Sequence, residues 1–334
     1  MASRRNADQR RARQPGRGRR AESPAEIPAT GWKDTMWRVW QSIGDDHISL
    51  VAAGTAFFWL LAIFPALTAF VSLYGLVADP ATIGGHVEAM RGVVPEAGIE
   101  LIATQLTRIV EQGDTAHGVT FLIGLAAALW SANAGMKSLF EAMNVAYDED
   151  ETRGFVWRTI LSLGLTLGAM VVLVLFIVAI AVVPAVIAIL GLQGASGWLV
   201  SLLRWPLVLV LAGLALGVLY RVGPSREPPQ WRWVTPGSAF ASAALLVASM
   251  LLSWYLSNFA DYNETYGSLG AVIGLMMWFW ISAQVILIGA ELDAELEHQT
   301  AEDTTTGREA PMGQRGATMA DRVGRSSDPQ DRAA

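Results

Sequence analysis

The feature that most constrains the fold of this chain is a set of six long stretches that carry almost no charged residues. They lie at approximately 50–77, 118–143, 159–189, 198–220, 235–258 and 266–290. The hydrocarbon core of a bilayer is about 30 Å thick and is crossed by roughly 20 helical residues, so each stretch is long enough to span it. The stretches are continuously apolar, without the alternation that is typical of outer-membrane β-strands. The sequence therefore predicts an all-α fold, a polytopic membrane bundle of six transmembrane helices.

The composition excludes several other classes of protein. Hydrophobic residues make up 52% of the 334 residues and charged residues only 16%, whereas a soluble domain carries about 25% charged residues. An ordinary soluble enzyme, a disordered protein and a nucleic-acid-binding domain are therefore excluded. The chain has no cysteine, and none of its four histidines has a neighbour at metal-ligand spacing. We expect no cofactor, no metal site and no enzymatic activity.

The basic residues indicate how the bundle is oriented. An even number of spans returns the chain to the side on which it began, so both tails share one side. That side would also hold most of the lysine and arginine of the loops, whereas the opposite side keeps only Arg91, Arg108 and Arg204. Basic loops remain in the cytoplasm, which predicts a protein of the inner (plasma) membrane with both termini cytoplasmic.

Three regions of the chain differ in character. Residues 1–31 carry eight arginines against three acids, and residues 298–334 are rich in small and polar residues, so both tails are predicted to be disordered. The membrane domain, 32–297, lies between them. Retention on the cytoplasmic side accounts for the arginines of the first tail, and no specific nucleic-acid partner is predicted. The connection 79–117 is too long for a turn and is predicted to form a short amphipathic helix or a helical hairpin on the extracytoplasmic side.

Residues 32–43 precede the first span and show a helical pattern. Trp32, Met36, Val39, Trp40 and Ile43 fall on one face, which is typical of a helix lying on the membrane surface. A soluble helix packed on the bundle is the alternative.

Polar residues inside the spans are the best candidates for function, because hydrocarbon penalises them unless they face water or a partner. The second stretch carries four of them at helical spacing, in one polar stripe: Asn133, Lys137, Glu141 and Asn144. In the last stretch Gln284 and Glu291 lie seven residues apart and share a face. We expect these six residues to line a polar vestibule that opens to the cytoplasm between the second and sixth spans and forms a substrate pathway.

A structural role for the same residues is the alternative. Lys137 and Glu141 would then pair with each other and extend to the membrane surface. Asn133 and Gln284 would hydrogen-bond neighbouring helices, at about 1 kcal/mol for each bond.

A second set of candidates lies on the outer side. Arg204 could pair with an acid of the segment that precedes the sixth span and so act as a static clasp or as a gate. That segment contains Asp261, Tyr262, Glu264 and Tyr266. In the first span Pro65 removes one backbone hydrogen bond, which predicts a kink.

Several motifs resemble those of the YihY/BrkB family of bacterial inner-membrane proteins. They occur in the order and spacing of that family, between about 45 and 297. The residues that carry the resemblance are Ala52–Phe58 with Ala62–Leu67, Leu129–Ala132, Glu141–Asn144, Tyr262 with Tyr266–Ala271, and Gly289–Leu292.

The resemblance implies a role in the bacterial envelope more than a named activity. The family was long labelled ribonuclease BN, a label widely regarded as a misassignment, and members have been linked to serum resistance and to envelope lipid export. Ribonuclease activity is the least favoured hypothesis, because the only dense acidic run, 148–151, cannot converge on one metal ion. We expect membrane lipid as a partner and a transporter or exporter of an amphipathic or lipid-linked substrate. A scaffold that does not transport is the alternative, and the sequence leaves a homo-oligomer open.

Overall fold

The computed structural model describes residues 2–74, 119–179, 195–259 and 269–328, and within these ranges the fold is helical. A 3₁₀ turn at Pro24–Glu26 and an isolated β-bridge between Pro229 and Thr305 are the other regular features there. The α-helices are α1 (Ala2–Ala12), α2 (Ala29–Asp45), α3 (Ile48–Tyr74), α4 (Val119–Ala146), α5 (Phe155–Ile177), α6 (Ala195–Val222), α7 (Trp231–Phe259) and α8 (Leu269–Glu297).

Five of these helices contain a stretch that is long and apolar enough to cross a membrane. The stretches have a mean hydropathy between 1.8 and 2.4. They are Ile48–Ala66, Phe155–Phe176, Trp205–Val222, Trp231–Asn258 and Val272–Glu297. The multi-pass helical membrane fold predicted from the sequence is therefore confirmed.

The finer parts of that prediction are not confirmed. The second predicted span corresponds to α4, which has 28 residues but is not among the five apolar stretches, so the count of six spans stays a prediction. The connection 79–117 lies outside the described residues, as does the segment 180–194, which contains the last third of the third predicted span.

The helices pack around small side chains. α3 packs on α4 and α8, and α7 packs on α6 and α8. The largest buried cluster lies at the end of the bundle that carries the two tails, which we call the tail side. It combines alanines such as Ala52, Ala146 and Ala290 with larger buried residues such as Tyr220 and Leu287. Small residues let membrane helices approach closely, which compensates for the lack of a hydrophobic driving force between helices in lipid.

The closest approach of two helices is made by glycines of α7 and α8. A Cβ atom at Gly237 would collide with the carbonyl oxygen of Gly289 and would lie 2.5 Å from the carboxyl carbon of Asp293. A Cβ atom at Gly289 would lie 2.5 Å from the hydroxyl of Tyr220. Any side chain at either position would force α7 and α8 apart.

Both tails are packed on the tail side, which differs from the disorder predicted for 1–31 and 298–334. Arg19 is buried and donates to the carbonyls of Gln299 (3.2 Å) and Gly324 (2.8 Å). Asp34 accepts hydrogen bonds from Arg17 (2.7 Å) and from the backbone N–H of Ser327 (2.8 Å). The physical reason is that arginines of the first tail find carbonyl and carboxylate acceptors that the second tail helps to assemble, a pairing that composition does not reveal.

The segment 317–323 of the second tail returns to the bundle. Met319 is buried in the main cluster, together with Tyr147 and Ala294. The backbone N–H of Thr318 donates to Glu149 (2.6 Å), and Arg322 pairs with Asp148 (2.9 Å). The tail therefore covers the end of α4.

The predicted helix over 32–43 is present as α2. Its buried face includes Thr35, Arg38 and Val39 and packs against α8, while Trp40 is 78% exposed. The contact with α8 agrees with the alternative of a helix packed on the bundle, and the exposed Trp40 is placed as an interfacial helix requires.

Candidate functional site: an acidic cluster at the end of the last helix

The last two turns of α8 carry an unusual set of buried acids. They alternate with apolar residues and are Glu291, Asp293, Glu295 and Glu297, each at most 4% exposed. Residues two apart on a helix point about 200° away from each other, so no single neighbour could bury all four. α2 and α7 flank this end of α8, and both tails complete the enclosure. We call these four acids with Asp46 the acidic cluster.

Two of these acids are neutralised by buried arginines. Glu295 accepts a hydrogen bond from Arg38 Nε (2.5 Å) and another from Ser42 (3.1 Å). Glu297 accepts two from Arg226 Nη2 (2.7 and 2.8 Å), and both side chains of that pair are fully buried. Such pairs offset the cost of removing charges from water only when both partners are present.

The other two acids lack a basic partner. Asp293 Oδ1 accepts the backbone N–H of Gly237 (2.6 Å), in the second turn of α7. Its Oδ2 has no hydrogen-bond donor among the described residues, and neither does either oxygen of Glu291. Glu291 instead faces the carboxyl group of Asp46, which follows α2.

The residues around Asp46 are also acidic. Burial raises the pKa of Asp46, and the neighbouring carboxylates Asp148, Asp45 and Glu295 raise it further. Glu291 also acts on the pKa of Asp46, although neither oxygen of Glu291 has a hydrogen-bond partner among the described residues. Two neighbouring carboxyl groups avoid like-charge repulsion when one of them carries a proton, so Asp46 and Glu291 together can hold one proton.

Tyr147 adds a further unpartnered polar group. It is fully buried directly after α4, and its hydroxyl has no hydrogen-bond partner among the described residues. Burial, together with Asp293, raises the pKa of Tyr147 well above its ordinary value, so it remains a neutral phenol. The guanidinium carbon of Arg226 lies 4.9 Å from the centroid of its ring. This end of the bundle thus combines buried carboxyl groups with a neutral phenol.

The polar stripe of α4 faces α5. Asn133 accepts a hydrogen bond from Thr166 (3.4 Å), and Lys137 donates to Thr159 (3.0 Å). Lys137 Nζ also lies 5.2 Å from the centroid of the Trp130 ring.

Nearer the tail side, the stripe pairs with a basic residue of α5. Glu141 pairs with Arg158 (2.5 Å), and its side chain is 57% exposed. The pairing of Lys137 with Glu141, considered as the alternative, is therefore not the one observed.

The remaining predicted residues are separated from one another. Asn144, the last residue of the polar stripe, is buried, accepts the backbone N–H of Ser225 (2.7 Å) and donates to Glu151 (3.3 Å). Gln284 is half-buried in α8, two turns before Glu291. Of the six residues predicted to line a vestibule, the acidic cluster includes only Glu291. The role of all six as a substrate pathway stays a prediction.

The predicted outer clasp lies outside the described residues. Asp261, Tyr262, Glu264 and Tyr266 belong to 260–268, and only the backbone of Arg204 is described, within α6. Pro65 lies inside α3, which continues to Tyr74. The kink and the clasp stay predictions.

Sequence reasoning missed most of the acidic cluster. It treated 290 as the end of the last span and placed the tail in solvent, so Asp293, Glu295 and Glu297 were not considered. The signal that could have found them is their alternation with apolar residues directly after a membrane span. Asp46 carries no comparable signal, because only the folded chain brings it next to α8. Among the described residues, no three side chains of His, Cys, Asp or Glu are grouped so that they could hold a metal ion.

Comparison with known proteins identifies a family model and several relatives that resemble this sequence. A family model described as "Virulence factor BrkB" matches residues 39–313. A relative from Bacillus subtilis, described as "Putative ribonuclease-like protein YfkH", is 32% identical over 253 residues, which cover 73% of this chain and 88% of the relative.

More distant relatives are described only as membrane proteins. The UPF0761 membrane protein PSHAa0171 of Pseudoalteromonas translucida is 25% identical over 78% of this chain and 85% of its own length. The UPF0761 membrane protein Mpe_A1422 of Methylibium petroleiphilum is 24% identical over 79% of this chain but only 62% of its own length. No solved structure matches the chain.

Proposed function

The chain belongs to the BrkB family of membrane proteins, and from this premise we propose that it transports or exports an amphipathic or lipid-linked substrate in the bacterial envelope. In this proposal α4 is the second of six spans, the protein resides in the inner membrane, and both tails are cytoplasmic. The arginine-rich first tail supports that orientation, because basic segments are retained in the cytoplasm.

One observation carries the proposal, the buried carboxyl group of Glu291. It is fully buried in a helix that is apolar enough to span a membrane, and its oxygens have no hydrogen-bond donor among the described residues. Removing a carboxylate from water without a partner is costly, so ionisable groups of this kind in membrane bundles usually serve transport or proton transfer. A scaffold that does not transport has no use for a buried, unpartnered carboxyl group, which destabilises the fold.

The facing Asp46 extends this argument to an energy source. Two carboxyl groups that share a proton respond to a proton gradient, because loss of that proton leaves two like charges in contact. The sequence contains no nucleotide-binding loop of the G-x-x-x-x-G-K type, so we propose that a gradient or a partner protein supplies the energy.

The test compares two glutamates that differ in burial. A deletion strain with an envelope defect is complemented with wild type, with Glu291→Gln and with Glu141→Gln. Glutamine keeps the shape of the side chain and removes the ionisation. We expect Glu291→Gln to lose complementation at normal membrane abundance and Glu141→Gln, whose parent side chain is exposed and paired, to retain it. Full complementation by Glu291→Gln would contradict the proposal.

Lipid analysis of the same strains would name the substrate class. Lipids of the deletion strain are quantified separately for each leaflet. Accumulation of one amphipathic class on the inner side, reversed by wild type and not by Glu291→Gln, is the expected result.

A non-transporting envelope scaffold is the second candidate, and the ordered tails favour it. Buried arginines such as Arg19 and Arg315 fix both tails into one layer on the tail side, and a folded layer could bind other proteins. If this role is the correct one, Glu291→Gln will complement fully, and substitutions on the outer surface of the tails will not.

A further inference from the structure

A groove runs between α6 and α7 on the outer surface of the bundle. Its volume is about 340 Å³. Both walls belong to stretches that are apolar enough to span a membrane, and residues at its rim, such as Val210 and Leu214, are exposed. The groove therefore opens towards lipid.

Small residues create the space in this groove. Gly213 and Gly217 of α6 have no side chain, and α7 contributes Ala239 and Ala243. A Cβ atom at Gly217 would lie 3.3 Å from the ring of Trp231, and one at Gly213 would lie 3.7 Å from the hydroxyl of Ser242. The two glycines thus already face α7, and the groove is the space that remains beside their contact.

The hydroxyl groups that line the groove are satisfied within their own helix. The hydroxyl groups of Thr235, Ser238 and Ser242 line it, and each donates to a carbonyl of its own helix, at 2.8, 3.1 and 3.0 Å. These hydroxyl groups are not available to a polar substrate, whereas a hydrocarbon chain needs no hydrogen-bond partner.

Its length matches one leaflet. The lining of α7 extends from Trp231 to Ala243, which is roughly 18 Å at 1.5 Å per residue. The hydrocarbon core is about 30 Å thick, so the groove reaches from the headgroup level to near the middle of the bilayer. Trp231 is at the tail-side end, the depth that tryptophan prefers.

A cation lies beside that end of the groove. The guanidinium carbon of Arg221 lies 5.1 Å from the centroid of the Trp231 ring. Arg221 Nε donates to the carbonyl of Pro229 (3.0 Å), which is its only hydrogen bond within the described residues. The two terminal nitrogens are therefore left to bind an acceptor outside the chain, and phosphate is the acceptor that arginine matches best.

We infer that this groove binds a glycerophospholipid from the tail-side leaflet, with one acyl chain between α6 and α7 and the phosphate at Arg221. The site lies on a different face from the acidic cluster and does not depend on transport. A helix from a second copy is a poorer occupant, because a helix with its side chains is about 10–12 Å wide and the glycines that would receive it already face α7.

The test measures lipid retained by the purified full-length protein. Detergent-solubilised protein is mixed with phosphatidylglycerol, phosphatidylethanolamine or diacylglycerol, and bound lipid is counted by native mass spectrometry. Ala239→Leu fills the groove. Ala53→Leu is the matched control, since Ala53 is also exposed on a membrane-spanning stretch but does not line the groove.

We expect wild type and Ala53→Leu to retain one tightly bound phospholipid and Ala239→Leu to lose it at least tenfold. Arg221→Gln should weaken the binding of both phospholipids roughly tenfold, because a hydrogen bond to a charged group contributes more than about 1.4 kcal/mol. It should leave diacylglycerol, which has no phosphate, unchanged.

Two results would overturn the inference. Equal retention by Ala239→Leu and Ala53→Leu would mean unspecific boundary lipid only. A dimer that dissociates in Ala239→Leu but not in Ala53→Leu would mean that a second copy occupies the groove. If Ala239→Leu lowers the melting temperature, Ala243→Leu, which fills the same groove further along α7, replaces it.

Discussion

Two polar regions lie on the long helices of this protein, and the bundle stabilises them in different ways. The polar stripe of α4 finds partners on the adjacent α5, and its most strongly charged pair, Glu141 with Arg158, is half open to solvent. The four acids of α8 in the acidic cluster are buried, with Glu297 neutralised and Glu291 not. The comparison shows that the contribution of each charge to stability depends on its burial more than on the number of polar residues around it.

The largest effect should come from the buried ion pair of the acidic cluster. Arg226→Met leaves Glu297 charged, buried and unpaired, which should cost about 3–5 kcal/mol of stability. Thermal unfolding in detergent and membrane abundance measure the loss.

A double variant provides the control. Arg226→Met with Glu297→Gln removes both charges and should recover a large part of the lost stability. If the single and double variants are equally unstable, the packing of Arg226 on Tyr147 matters and the charge does not.

The second largest effect on stability should come from the contact between α7 and α8 next to Asp293. Gly237→Ala places a methyl group against the Gly289 carbonyl and the Asp293 carboxyl group, and overpacking of this kind costs about 1–3 kcal/mol. Gly164→Ala is the matched control, because a Cβ atom there meets nothing within 4 Å. An unchanged melting temperature of Gly237→Ala would show that α7 and α8 do not approach so closely.

Glu151, in the connection after α4, should have an effect on stability of intermediate size that depends on pH. Burial alone would raise its pKa, but hydrogen bonds from Arg153 and Asn144 lower the pKa of Glu151 from 4.5 to about 2. Because the folded-state pKa lies below the unfolded one, the stabilisation is complete above pH 4.5 and is lost as the pH falls towards 2.

Glu151→Gln should therefore cost about 1 kcal/mol at neutral pH, allowing for solvent screening. The difference from wild type should shrink as melting temperatures are measured from pH 5 down to pH 2.5. A difference that stays constant with pH would show that the hydrogen bonds do not depend on the charge.

The smallest effect should come from the exposed pair of the stripe. Glu141→Gln should change stability by less than about 0.5 kcal/mol, because exposed ion pairs contribute little and salt screens them. Raising the salt concentration should remove even that difference. A loss of stability as large as that of Arg226→Met would show that the exposed polar stripe and the buried acidic cluster do not differ in this way.

The sequence predicted the membrane bundle well, because continuous apolar runs leave few other folds open. The second stretch, expected at 118–143, corresponds to α4 at Val119–Ala146. The polar stripe was also recognised, since helical spacing alone places Asn133, Lys137 and Glu141 on one face.

The partners of those residues could not be predicted in the same way. Spacing does not say which neighbour a stripe faces, and the expected neighbour was the last span, whereas Thr159 and Arg158 of α5 make the contacts. Asp46 and Glu291 are 245 positions apart, and only tertiary packing brings them together. The packing of the tails could not be predicted, because average composition does not show that Arg19 of the first tail finds backbone carbonyl acceptors in the second.

The placement of Met319 has a consequence for how the protein is made. The acids of α8 are synthesised about 20 residues before the segment that seals them. We expect the acidic turns of α8 to be open to water during that interval, because hydrocarbon would penalise the ionised groups. Packing of the second tail against Tyr147 and Ala294 then completes this end of the bundle.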